Sequence, residues 1–407
     1  MTATGKRISR RHFIAAAAAG TAVSALSGTV GSARGATRPV RIGFSMPKTG
    51  YLGIACPVAE QAYFLWRDQM NAAGGLAIAG EGRRPVEFVE YDDQSEPAKT
   101  AQIYEKLISG DKVDLLFAPY ATPFHIAIAP VIERHKFPLV GNTAGSTLLR
   151  DLHAKHMWFV DALADKDAAA LVSFLRSQKV KSIALLTLQL PLSLEIKKFA
   201  TPLLDAAGIK ISVNLEYPPD IKDMTSMLSS VKNAAPDAVI GLSYPGDSIL
   251  YMSQAREMGI PAKIQMLLIG PTEPFFMKKF GAKDTDHIVT IGRWSPKQTK
   301  WPEGKVFYDA YVARWKEPPD YEDSISTYIS CQVMEQAVAK AGLDHEKIRR
   351  TIVASTFETA NGPVRFEGAE NVATPAGLLQ IQNGGMEIIW PESIATSNFM
   401  PKSGWSS

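Results

Sequence analysis

Cysteine is scarce in this chain of 407 residues: only Cys56 and Cys331 are present, far apart in sequence. Two cysteines exclude a fold built on disulfides. Neither has partners at metal-binding spacing, and whether the two pair or remain free thiols stays open. Histidine is also rare. His153 and His156 are three apart, but no acid or cysteine completes a ligand set, so a structural or surface role is expected. The dinucleotide fingerprint and the phosphate loop are missing. Gly241-Leu242-Ser243-Tyr244-Pro245 departs from the nucleophile elbow at its last position. Asp92 and Asp93 are adjacent, so their carboxylates point apart, and their place between a strand and Pro97 predicts turn caps. These absences speak against an enzyme, a resident metal or a cofactor.

A long uninterrupted apolar run is missing too. Phe13 to about Val30 is rich in Ala but broken by Gly, Ser and Thr, too polar for a membrane span. Directly before it stands Ser9-Arg10-Arg11-His12-Phe13-Ile14. A basic start, a modest apolar stretch and a small-residue exit predict an export signal of the twin-arginine type, cleaved after Gly35 or Ala36. No Cys follows the run, so no lipid anchor is expected. Five of the 44 basic residues and none of the acids fall within positions 1–36. The remainder carries 39 bases against 41 acids, a balance that gives no support for nucleic acid or an anionic membrane as partner.

About 370 residues are more than one core usually holds, so two domains are expected. Short apolar runs alternate with helical patterns. Val40–Phe44, Val86–Tyr91, Val113–Ala118 and Leu139–Gly141 read as strands, with helices over Pro57–Ala73, Pro97–Ser109 and Thr122–His135 between them. A second series follows: strands Ser182–Thr187, Ile209–Tyr217, Ala238–Leu242 and Lys263–Leu268, with helices Leu192–Ala207 and Ser248–Met258. Tyr321–Ala341 reads as a late helix after Pro318-Pro319, and Gly362–Phe366 as a late strand. Such alternation predicts an α/β chain with parallel sheets covered by helices on both faces.

Several segments resemble the branched-chain amino acid (Leu/Ile/Val) type of periplasmic solute-binding protein. They are Ile42-Gly43-Phe44 opening onto Lys48-Thr49-Gly50, Asn71-Ala72-Ala73-Gly74-Gly75, Tyr91-Asp92-Asp93 before Pro97, and Gly362-Pro363-Val364-Arg365-Phe366. The likeness runs in order through nearly all of the chain after position 36. It implies a type I periplasmic binding fold: two doubly wound, Rossmann-like lobes joined by a hinge that the chain crosses three times. The crossings are expected near Phe159, Arg293 and Thr359. The first lobe is then 37–158 with 294–358, and the second is 159–293 with 359–407. The resemblance also implies a monomeric periplasmic protein that delivers a small ligand to the permease of an ABC importer. The alternative is a periplasmic sensor that docks, loaded, to a receptor.

The resemblance implies ligand contacts position by position. Thr122, preceded by Tyr120 and Ala121, matches a hydroxyl that binds the ligand carboxylate, at a helix start suited to an anion. Ala144 and Ser146 match the next backbone turn and hydroxyl, with Gly145 where the family often has Thr. Tyr244 matches an aromatic cover, Glu273 the acid that pairs with a ligand ammonium, and Trp294 a wall beside the second crossing. Asp247, near a helix start, is a poorer candidate for the acid. Two family Tyr-Gly pairs are replaced, by Gln189-Leu190-Pro191-Leu192 and by Ala55-Cys56. The pocket is therefore expected to suit an amino acid or related carboxylate with an apolar, even aromatic, distal part.

Overall fold

The computed structural model describes residues 38–405; the stretch read as an export signal lies outside them. Strand Val40–Met46 is the centre of the first lobe. It pairs in parallel with Val86–Asp92 on one side and Leu115–Leu116 on the other. Val40, Ile42, Phe44 and Met46 are fully buried. The opposite face is covered too. A Cβ at Gly43 would stand 2.8 Å from the Leu107 side chain, so a helix can approach this strand only over glycine. Leu107 belongs to helix Pro97–Ser109, which buries Thr100, Ile103, Tyr104 and Leu107, one stripe at helical spacing. The lobe continues with parallel strands Leu139–Gly141 and Met157–Phe159.

The second lobe is one seven-stranded sheet. Its order is Gly385–Trp390, Leu378–Gln382, Ile288–Ile291, Ile264–Leu267, Ala238–Leu242, Ser182–Leu188 and Lys210–Tyr217. The last five of these run parallel, and the two C-terminal strands add antiparallel at one edge. The run Ala238–Leu242 is buried throughout, as expected for a strand covered on both faces.

The chain leaves the first sheet system after Phe159 and leaves the second after Ile291. The third passage differs from expectation. Thr356–Thr359 and Gly362–Glu367 form an antiparallel hairpin, and Gly362–Glu367 pairs on through Glu370–Asn371 to Met157–Phe159. Thr359 thus precedes a hairpin turn inside the first lobe. The chain changes sheets between Asn371 and Leu378. Helix Asp323–Ala341 packs along helix Cys56–Ala72 in the first lobe. Cys56 and Cys331 are both buried and free. Among the described residues no helix is long and apolar enough to cross a membrane, and no cluster of side chains suits a metal ion.

Candidate ligand site between the lobes

Open parallel sheets bind ligands beyond the carboxyl ends of their strands. A hollow of about 550 Å³, open solvent at its mouth included, lies there. Thr143, Ala144, Glu322 and Asp323 line it from the first lobe, and Asp167, Leu192, Leu268, Ile269, Thr272 and Ile291 from the second. Asp161 joins them from the first passage between the lobes. The lobes touch beside it. Glu195, on helix Pro191–Ala206 of the second lobe, accepts from the Ser146 hydroxyl at 2.6 Å, the Thr147 N–H at 2.6 Å and the Thr147 hydroxyl at 2.8 Å.

Backbone strain collects at this place. Ala121 and Thr143 have φ of 65° and 53°, which L-residues seldom adopt, and the Thr143 hydroxyl accepts the Ala121 N–H at 3.1 Å. Such conformations cost on the order of 1–3 kcal/mol each and gather at functional sites. Gly145 explains the departure from the family pattern. A Cβ there would lie 3.2 Å from the Ala162 carbonyl oxygen and 3.3 Å from Leu192, so any larger residue is held tightly with the lobes together.

The cleft carries more acid than base. Asp320, Glu322 and Asp323 come from the first lobe, Asp167 and Glu273 from the second, and Asp161 from the passage between them. Arg293 is the base that faces them; it donates to Asp161 at 2.8 Å and to the Val160 carbonyl at 3.0 Å. Glu273 is 1% exposed, and among the described residues neither of its carboxyl oxygens has a partner. One oxygen each of Asp161, Asp320 and Glu322 is also buried without a partner. Burial first, then the like charges of Asp320 and Asp323, hold the Glu273 carboxyl well above the ordinary range. Burial, with Asp320 beside it, does the same to Asp323, against a 2.5 Å hydrogen bond from the Tyr120 hydroxyl. Burial pushes Asp167 up to about 7, with Arg293 opposing. Glu322 is raised by burial and by Asp161, Asp167 and Asp323, again against Arg293.

The hydroxyls of the cleft are engaged by the protein. Ser146 donates to Glu195, and Thr143 to the Asn142 amide oxygen at 3.3 Å. Thr122 is 2% exposed, does not line the hollow, and accepts the Gly145 N–H at 3.2 Å. The helix start at Thr122 offers little to an anion. Pro123 has no N–H, and the Phe124 and His125 N–H groups both point to the Ala121 carbonyl.

The other expected positions separate. Ala144 lines the hollow, and Tyr120 reaches it through Asp323. Tyr244 lines a second hollow of about 800 Å³, open solvent included, with Tyr51, Leu52, Ala55 and Leu190, across both lobes. Asp247 caps the helix that begins after Tyr244, accepting the Tyr244 N–H and the Tyr217 hydroxyl. Trp294 packs against Phe307, Tyr308 and Tyr321 inside the first lobe and does not line the hollow. Sequence reasoning missed Asp161, Asp167, Asp320, Glu322 and Asp323, although Asp320-Tyr321-Glu322-Asp323 is a dense acidic run directly after Pro318-Pro319.

Two lobes with a lined cleft between them define a ligand-trapping protein of the type I periplasmic binding fold. The periplasmic binding protein family profile matches residues 39–385, and the chain belongs to that family. It is 25% identical over 397 residues to Leu/Ile/Val-binding protein homolog 8 of Brucella abortus, covering 91% of this chain and 94% of the relative. Among solved structures it resembles the branched-chain amino acid transporter substrate-binding protein of Streptococcus pneumoniae in complex with isoleucine. That likeness has a TM-score of 0.78 at 22% identity, over 87% of this chain and 100% of the other. It also resembles an ABC transporter solute-binding protein of Rhodopseudomonas palustris in complex with 3,4-dihydroxybenzoic acid. There the TM-score is 0.74 at 19% identity, over 86% of this chain and 95% of the other.

Proposed function

We propose that this chain is the extracytoplasmic solute-binding protein of an ABC importer, exported by the signal in residues 1–36. It closes its lobes on a small organic ligand bearing an amino group, of the amino acid class or close to it. The observation that carries this reading is the hollow bordered by unpartnered buried carboxyl oxygens of Asp161 and Glu322, with Glu273, also unpartnered, near Asp320 and Asp323 behind it. Buried charges are met by opposite charge or hydrogen bonds, and a ligand ammonium supplies both. Leu192, Leu268, Ile269 and Ile291 give the ligand's remainder an apolar wall. Aromatic acids without an amine fit less well, because acids would face them. The relatives in complex with isoleucine and with a dihydroxybenzoic acid support the importer role and a ligand of this size.

In this reading the chain acts as a monomer, does no chemistry on its cargo, and presents its closed form to a permease. Two measurements test it. A thermal-shift panel of amino acids, amines and aromatic acids is expected to show a rise in melting temperature with an amine-bearing compound, since a ligand bound only by the folded state stabilises it. Small-angle scattering is expected to show a smaller radius of gyration with that compound at saturation; an unchanged radius contradicts the closing trap. Export is tested separately: Arg10→Lys with Arg11→Lys is expected to leave the precursor in the cytoplasm.

A further inference from the structure

The carboxyls do not sit on one wall. Glu273 opens helix Pro274–Thr285 in the second lobe, yet the charges it feels are Asp320 and Asp323 of the first. Glu322 of the first lobe likewise feels Asp167 of the second. Acids thus face acids across the cleft when the lobes are together, and one guanidinium, already bonded to Asp161, stands among them. Each of these carboxyls that ionises makes the next harder to ionise, so the closed cleft disfavours all of them being charged together. The donor side is as telling. The Ser146 and Thr143 hydroxyls point to protein oxygens, and Pro123 removes a donor from the helix start at Thr122. Beside the unpartnered carboxyl oxygens, a donor left over is the Arg293 Nε–H, buried and without a partner among the described residues.

We infer that the ligand is a net cation, an amine or amidine without a compensating carboxylate, whose positive group bridges carboxyls of the two lobes. The inference rests on the amine-binding reading above and sharpens it. A zwitterionic amino acid brings its ammonium to these acids but also carries a carboxylate into their field. A cation of the same skeleton brings only the attractive part. Because the acids come from both lobes, the cation favours the closed state over the open one, which is what a ligand must do to shift the population. Tyr244 senses Asp323 and lines a second hollow with Tyr51, Ala55 and Leu190.

The test is calorimetric titration of the intact protein at pH 7 with matched probes. One set is isoamylamine, leucine and 4-methylpentanoate; the other is phenethylamine, phenylalanine and 3-phenylpropanoate. In at least one set the amine is expected to bind about tenfold or more tightly than the amino acid, and the plain acid not at all. Glu273→Gln is expected to weaken the amine by about tenfold or more. Asp167→Asn, at a half-buried position, gives the same direction should the first variant fold poorly. Tighter binding of the amino acid than of the amine in both sets overturns this inference and leaves the importer reading standing. Binding of the plain acids alone overturns both the inference and the amine-binding reading. Failure of every amine to bind at millimolar concentration overturns the inference as well.

Discussion

The chain places carboxyls out of full contact with water in two ways. Near the surface of the first lobe, Glu60 and Glu90 share Lys48, whose ammonium stands 2.9 and 2.8 Å from them. The chain supplies the base for its own acids. In the cleft, Arg293 meets Asp161, Asp167 and Glu322, while Glu273 has no partner among the described residues and stands near Asp320 and Asp323. An arrangement that costs free energy in the ligand-free chain, and could be removed by a single substitution to an amide, belongs to function rather than to folding. Under the proposed reading, Lys48, Glu60 and Glu90 belong to the scaffold and the cleft acids to the cargo.

The strongest way to break this contrast is pH. A carboxyl whose folded pKa is raised contributes stability that is full below its unfolded value near 4 and is lost as pH rises through the folded value. For Asp167, raised to about 7, that window runs from about pH 4 to about 7. The ligand-free protein is expected to lose stability across it, at about 1.4 kcal/mol per pH unit for each such carboxyl still protonated in the folded state. Within that range His125 acts against the trend, since burial holds its pKa to about 4 and its ring resists protonation. Glu90, also raised to about 7 by burial and Glu60, shares the sign. Denaturant melts are expected to flatten more in the Glu273→Gln/Asp167→Asn double variant, which removes two raised carboxyls, than in Glu90→Gln, which removes one. Equal flattening in both would erase the distinction.

Glu195 is intermediate: an acid met by donors, but from the opposite lobe. Glu195→Ala removes three bonds present only when the lobes are together. The expected loss is about 1.5–3 kcal/mol of ligand affinity, the scale of a hydrogen bond to a charged group, with the melting temperature of the ligand-free protein unchanged. A fall in ligand-free stability of the same size would make Glu195 a scaffold residue. The smallest effect is reserved for Lys48→Met. Its ammonium is 42% exposed, so the variant is expected to cost about 0.5–1 kcal/mol of stability in urea melts and to leave ligand affinity unaltered.

Much of the fold was legible because buried parallel strands and one-faced helices carry strong patterns. Thr122–His135 and Ala238–Leu242 are found with the expected bounds. The third passage was misplaced because a hairpin strand such as Gly362–Glu367 shows nothing in its own residues of which sheet it joins. Leu378–Gln382 went unread as a strand since Gln380 and Gln382, both buried, blur its apolar run. The site was legible only where it is local. Ala144, taken from the resemblance, lines the hollow, whereas Glu273 does not and is only buried close to Asp320 and Asp323. The acids that distinguish this cleft lie at 161–167, 273 and 320–323, and each alone reads as an ordinary solvated loop acid. Only the fold brings them face to face. Trp294 failed for the opposite reason: a large ring near a hinge suits a pocket wall, but Phe307 and Tyr321 enclose it first.

The central claim is that cargo supplies the positive charge that the cleft acids lack. Its most direct measurement is the number of protons exchanged on binding phenethylamine at pH 7, from calorimetry in buffers of different ionisation enthalpy. A cation arriving among raised carboxyls lowers their pKa values, so the account predicts net proton release, reduced in the Glu273→Gln/Asp167→Asn variant. Binding with no proton release, or with uptake, would contradict it.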